Sequence, residues 1–231
     1  MARLRRMVLP GQAHLIIQRG RRGHDVFVDE RDRAVYLASL RDAAREAGVA
    51  VHAYGLFAHE VRLLATPRDE AGLAQMMQAV GRRFVRAFNQ RHGGSGTPWE
   101  GRFRSAVIEA QRHFLGSLRF VEGLSEPAGP RAAPTSADAT SSSAAHHLEG
   151  REDPIVEAHP EYWKLGNTPF EREARYRDHV AQPASAPELA AILRAALNGW
   201  VLGSEAFAAQ AATRSGRRPR PSAPGRPRKS I

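Results

Sequence analysis

The 231 residues include no cysteine, so a disulfide framework, a thiolate metal site and a thiol nucleophile are all excluded. A reducing compartment, the cytoplasm by default, is the natural setting. Lysine is nearly missing as well: of 34 basic residues only Lys164 and Lys229 are not arginine. Planar guanidinium groups suit bidentate contacts to phosphates and base edges, although GC-rich coding would give the same bias. Long apolar runs are lacking. Residues 7–10 are too short for the apolar core of a signal peptide, and nothing approaches the roughly 18 residues of a membrane span. The expectation is a soluble protein with no membrane contact. Acidic residues number 24, leaving a formal charge of +10. Nucleic acid is the commonest partner for that balance, which ribosomal, membrane-surface and polyanion binders share.

The hydrophobic pattern predicts alternating elements. Residues 14–18 form an apolar run followed by the basic loop Arg19-Gly20-Arg21-Arg22-Gly23, a strand leading to a phosphate-compatible turn. Residues 29–47 carry apolar side chains at helical spacing, stopped by Gly48. Two β-rich runs, 49–57 and 61–66, follow. Leu73, Met76, Met77, Val80, Phe84, Val85 and Phe88 then make a second helical stripe, with Arg82, Arg83, Arg86 and Arg91 on its opposite side. Such a charged face serves either to bind or simply to meet solvent. A strand over 102–109 and a helix over 113–122 complete a ferredoxin-like α+β arrangement, an antiparallel sheet with packed helices, in residues 1–126. Residues 127–150 read as a linker or mobile loop, 151–212 as a helical C-terminal extension, and 213–231 as a disordered basic tail.

Several motifs in order carry a resemblance. They include His14 with Gln18-Arg19-Gly20, His52-Ala-Tyr-Gly-Leu, Leu63-Leu-Ala-Thr-Pro, Met76-Met-Gln-Ala-Val-Gly-Arg-Arg-Phe, Thr97-Pro-Trp-Glu-Gly-Arg-Phe-Arg-Ser, Leu165-Gly-Asn-Thr-Pro and Gly225-Arg-Pro-Arg-Lys. Together they resemble the REP-associated tyrosine transposases, which belong to the single-tyrosine HUH transposases, relatives of insertion-sequence transposases that cut single-stranded DNA. The resemblance implies a bacterial protein, DNA hairpins or single strands as partner, and a homodimer as a possible state.

The positions that carry the family's chemistry differ here. The family has His, an apolar residue and His on one strand, and period two puts both imidazoles on one sheet face to hold Mg²⁺ or Mn²⁺. The aligned residues are Glu60 and Arg62, and a guanidinium has no lone pair for a metal. Either the two charges pair with each other or each faces solvent alone. The family's nucleophile, a tyrosine on the later helix, aligns with Phe120, which has no oxygen to attack phosphorus. Leu124 stands one turn on. His59 reads as a surface or satisfied histidine rather than a ligand, since a one-residue slip would turn Val61 and Leu63 to the wrong side.

The expectation is therefore a DNA-binding, transposase-like protein with no intact catalytic or metal residue and no cofactor of its own. Its expected DNA contacts are Arg19, Arg21, Arg22, Arg82, Arg83, Arg86, Trp99 (as a base-stacking surface, or alternatively a core residue), Arg102 and Arg104, together with Arg226, Arg228 and Lys229. The last three lie in a segment resembling an AT-hook core, alternatively a nonspecific phosphate-binding arm. Two other readings stay open: an active transposase with an altered site, and a protein that binds structured RNA.

Overall fold

A computed structural model describes residues 6–21, 24–125 and 141–220. Strands β1 (His14–Arg19), β2 (Val49–Phe57), β3 (Glu60–Pro67), β4 (Arg104–Val107) and the short β5 (Ser141–Ser142) form one antiparallel sheet in the order β4-β1-β3-β2-β5. The first four strands and the helices α1 (Glu30–Glu46), α2 (Gly72–His92) and α3 (Ala110–Val121) reproduce the expected ferredoxin-like α+β topology. The chain continues through α4 (Ala144–Glu149), α5 (Pro160–Trp163), α6 (Pro169–Ala181), α7 (Ala186–Asn198) and α8 (Glu205–Ser215).

Alternation along the strands builds two cores. Val61, Leu63 and Ala65 of β3 join Ile16, Leu40, Met76 and Phe84 on the face covered by α1 and α2. Leu64 instead meets Leu15, Ile17, Phe114, Leu118, Tyr176 and Ile192 on the other face, which is covered by α3 and the C-terminal helices. Glu60 and Arg62 share that second face by period two. Local signals fix the helix ends: Asp29 caps α1 by accepting from the Asp32 amide, and Thr168 and Glu171 form a capping box on α6. The start of α1 is also pinned to the end of α2, because buried Asp32 accepts from His92 Nε2 at 3.0 Å and pairs with Arg91.

One glycine sets how closely α3 can approach. A Cβ at Gly55 would lie 2.1 Å from the Val121 carbonyl oxygen. Without a side chain there, the end of α3 presses directly on β2 beside Arg62, which is registered against Gly55 and Ile17.

Two expectations need correction. Residues 141–149, placed in a linker, form β5 and α4, because β5 finds backbone partners on the edge of β2 and the Tyr54 amide bonds Ser143 Oγ at 3.1 Å. Residues 213–215, placed in the disordered tail, complete α8, and the Val201 amide donates to Pro219 O at 3.0 Å. The rest of both segments, residues 126–140 and 221–231, lies outside the described residues, as does Arg22. Among the described residues no helix is long and apolar enough to cross a membrane.

His14 gives the fold a pH dependence. Its Nδ1 donates to Gln12 O at 2.7 Å while its Nε2 accepts from the Leu9 amide at 3.2 Å, an arrangement open only to the neutral ring. Complete burial lowers its pKa from 6.5 to about 4, against a smaller upward pull from the Gln12 carbonyl. In the unfolded chain the ring takes a proton near pH 6.5, so this contribution to stability is present above that pH and is lost as the pH falls toward 4. Urea midpoints measured from about pH 7.5 to about 4.5 should therefore decline more steeply in the native sequence than in His14→Gln. Equal slopes would contradict the assignment.

Candidate functional site

Where the family resemblance implies a metal, the second sheet face carries a closed cluster. Glu60 and Arg62 project side by side from β3, and Arg62 Nε donates to Glu60 Oε1 at 2.7 Å. The other carboxylate oxygen, Oε2, accepts from Arg19 Nε at 2.7 Å. An Arg62 terminal nitrogen donates to the Phe120 carbonyl at 3.0 Å. Its guanidinium carbon lies 4.3 Å from the centre of the Phe57 ring and 4.2 Å from that of Phe120. The side chains of Arg62 and Glu60 are only 4% and 11% exposed. Of the two arrangements left open by the sequence, the charges pair with each other.

These residues do not fit a divalent ion. Both oxygens of Glu60 are engaged by guanidinium groups, and the second ligand position supplies a cation. Among the described residues no three His, Asp or Glu side chains come together as a metal site. Phe120 puts a ring against Arg62 where the resemblance implies a nucleophile, and Leu124 is half-buried one turn on.

The chain's four tyrosines are all buried and none faces this cluster. Tyr36 and Tyr54 lie in the first core, Tyr162 and Tyr176 in the second. Burial, reinforced by Asp153 at Tyr54 and by Glu122 at Tyr176, raises both of those hydroxyls well above the ordinary tyrosine range, and burial brings Tyr162 to about 12. His59 is exposed at the turn between β2 and β3, with Nδ1 2.9 Å from Asp25 Oδ1.

The expected DNA contacts fall into separate groups. Arg19, Arg102 and Arg104 line one groove along the β1–β4 side of the sheet. Arg21 follows β1, its amide bonded to Pro98 O at 2.8 Å. Arg82 and Arg86 are exposed on α2, across the sheet from α3, and make no ion pair with a described residue. Arg83, expected on the same basic face, reaches both oxygens of Glu46 at 2.8 Å and so ties α2 to α1. Arg226, Arg228 and Lys229 lie outside the described residues.

Trp99 requires a correction. Of its two readings, a base-stacking surface or a core residue, the second holds: it is 4% exposed and packs edge-on against Tyr36 at 6.1 Å and tilted against Phe84 at 5.8 Å. The backbone bridge between Gly20 and Trp99 folds the 97–101 loop back over the first core and carries the indole inward. The exposed tryptophan is Trp163, 53% accessible, with the Arg172 guanidinium 4.0 Å from its ring centre. Its neighbours in the sequence gave no sign of this, because exposure there depends on how α5 and α6 pack.

The chain resembles the structure of a REP-associated tyrosine transposase bound to a REP hairpin, with 12% identity and a TM-score of 0.53 over 69% of this chain and 93% of that one. The two share a fold. The chain is also similar to a candidate transposase of Deinococcus radiodurans, with 28% identity and a TM-score of 0.34 over 53% of this chain and 96% of that one. No protein-family model and no curated protein matches the chain.

Glu60 holds two guanidinium groups at once, and removing one partner of a buried ion pair is costly. Glu60→Ala should destabilise the protein by about 3 kcal/mol or more in urea unfolding, far beyond the ~1 kcal/mol ceiling of an exposed pair. A loss under ~1 kcal/mol would show that Arg62 does not depend on this carboxylate.

Proposed function

We propose that the chain is a member of the REP-associated tyrosine transposase family, degenerate at its catalytic positions, that binds hairpin or single-stranded DNA without cutting it. The observation that carries this reading is the Arg62 guanidinium, paired with Glu60 and enclosed by Phe57 and Phe120 where the family resemblance implies a metal ion and a nucleophile. In-line attack on a phosphodiester needs an oxygen nucleophile and an electrophile to offset developing charge. Here the aligned positions offer a phenyl ring and a cation already neutralised by its own carboxylate.

Binding has separate support. The net charge of +10 favours a polyanion, the neighbour of like fold was solved with a REP hairpin, and Arg19, Arg21, Arg82, Arg86, Arg102 and Arg104 are exposed. In this reading phosphate contacts supply most of the affinity, and the unpaired part of the hairpin supplies the preference over duplex.

Fluorescence anisotropy with a labelled DNA hairpin carrying a 5′ single-stranded extension is the test. The hairpin should bind at least about tenfold tighter than a duplex of equal length, with log affinity falling steeply against log salt. Removing residues 221–231, which leaves α8 intact, should make the slope shallower by about 2 to 3, the share of Arg226, Arg228 and Lys229. Equal affinity for the duplex, or tighter binding of the RNA hairpin of the same sequence at matched salt, would overturn the proposal.

A further inference from the structure

The edge strand β4 and the C-terminal end of α7 border a cleft of about 270 Å³. Arg6, Arg102, Arg104 and Arg217 line it together with Ser105 and Asn198, and no carboxylate is among its lining residues. Neutral groups hold three of these arginines in place. Arg6 lies 3.7 Å over the Phe103 ring and donates to the Phe103 carbonyl at 2.9 and 3.1 Å. Arg104 donates to Leu197 O at 2.5 Å, and Arg217 sits 5.6 Å from the Trp200 ring centre. For Arg104 and Arg217 these carbonyl and ring contacts fix where the guanidinium groups sit without cancelling their charge.

Two buried polar atoms there are also unmatched among the described residues. Nε of Arg217 has no acceptor, and Oγ of Ser105, a residue 3% exposed, has no partner. A buried donor without an acceptor is costly to a fold unless something else meets it. The cleft does not end at Arg104. Arg102 and Arg104 also line an adjoining groove that reaches Arg19, where Glu100 is the first carboxylate encountered.

We propose that this cleft seats a backbone phosphate of the bound DNA strand, and that the groove toward Arg19 carries the strand onward. The proposal rests on the DNA-binding reading above and names the site within it. A tetrahedral phosphate offers acceptor oxygens in several directions, which suits guanidinium forks converging from β4, from the segment before β1 and from the segment after α8. An extended groove with arginines at both ends fits a repeating anion better than a single small one.

Two changes test it in different ways. Arg104→Gln combined with Arg217→Gln removes two phosphate donors, whereas Asn198→Asp places a carboxylate at the exposed lip of the cleft and gives up only the exposed hydrogen bond from Asn198 Nδ2 to Arg194 O. Arg31→Gln combined with Arg41→Gln removes the same charge from exposed positions on α1, away from the cleft. Hairpin affinity is measured by anisotropy across a salt series, with thermal melting of each variant as a check on folding. The cleft pair should lose about tenfold or more in affinity and flatten the salt slope by about 1.5 to 2. Asn198→Asp should weaken binding by a similar factor while remaining folded, with only a small drop in melting temperature from the lost bond to Arg194 O, and the α1 pair should lose much less. If the native protein binds the hairpin and Asn198→Asp binds equally well, or if the α1 pair loses as much as the cleft pair, the cleft assignment falls while the DNA-binding reading stands. If the native protein does not bind the hairpin, the reading beneath the proposal fails and the cleft assignment goes with it.

Discussion

A guanidinium group cannot give up its proton, so one that is removed from water must bring an anion, a carbonyl or an aromatic face with it. Arg62 brings all three. Glu60 supplies the anion, Phe120 the carbonyl, and Phe57 and Phe120 the ring faces. Each partner comes from a different part of the fold: the same strand, the adjoining strand β2 and the end of α3. The close approach of α3 that Gly55 permits is what places the Phe120 backbone within reach. The pair is therefore a structural joint between sheet and helix at the position where the resemblance implies chemistry.

A second buried charge holds the same helix end from behind. Glu122, two residues beyond Phe120, accepts from Ser143 Oγ at 2.7 Å and His147 Nδ1 at 2.6 Å through one oxygen, and from the Tyr176 hydroxyl at 2.8 Å through the other. Tyr162 reaches the same cluster by donating to the His147 carbonyl at 3.0 Å. α4, α5 and α6 are thus tied to the carboxyl end of α3, and two of the four tyrosines are spent on this network. Polar groups this enclosed specify one arrangement because any other would leave a donor or a carboxylate unmatched.

Much of this was legible in the residues. Period two along 60–64 put Glu60 and Arg62 on one face opposite Val61 and Leu63, and the structure keeps that register. The helical stripe from Leu73 to Phe88 gave α2 directly, with its apolar side in the first core and Arg82 and Arg86 outward, whereas Arg83 and Arg91 turn to carboxylates of α1 and its cap. What could not be read depends on contacts between distant segments. Arg6 meets Phe103, Arg104 meets Leu197 and Arg217 meets Trp200, so the basic cleft exists only once β4, α7 and the segment after α8 are together. Trp99 stayed undecided for a related reason. A tryptophan among glycines, prolines and arginines reads equally as a stacking surface or a core residue, and only the bridge to Gly20 turns it into the core. Glu122 carried no sign of burial, since its partners lie 21 to 54 residues away.

The claim that an ion pair stands where cleavage chemistry would be is tested most directly by looking for the covalent intermediate of that chemistry. Labelled hairpin DNA with a 5′ single-stranded extension is incubated with the protein and Mn²⁺, then resolved on a denaturing gel. The account predicts no protein-linked label from the native sequence, and none from Phe120→Tyr alone, because Arg62 and Glu60 still fill the position next to the new hydroxyl. Replacing Glu60→His, Arg62→His and Phe120→Tyr together is the one version with the parts of a working site, since such parts act as a unit. A shifted band from the native protein, abolished by changing Tyr36, Tyr54, Tyr162 or Tyr176, would contradict the account.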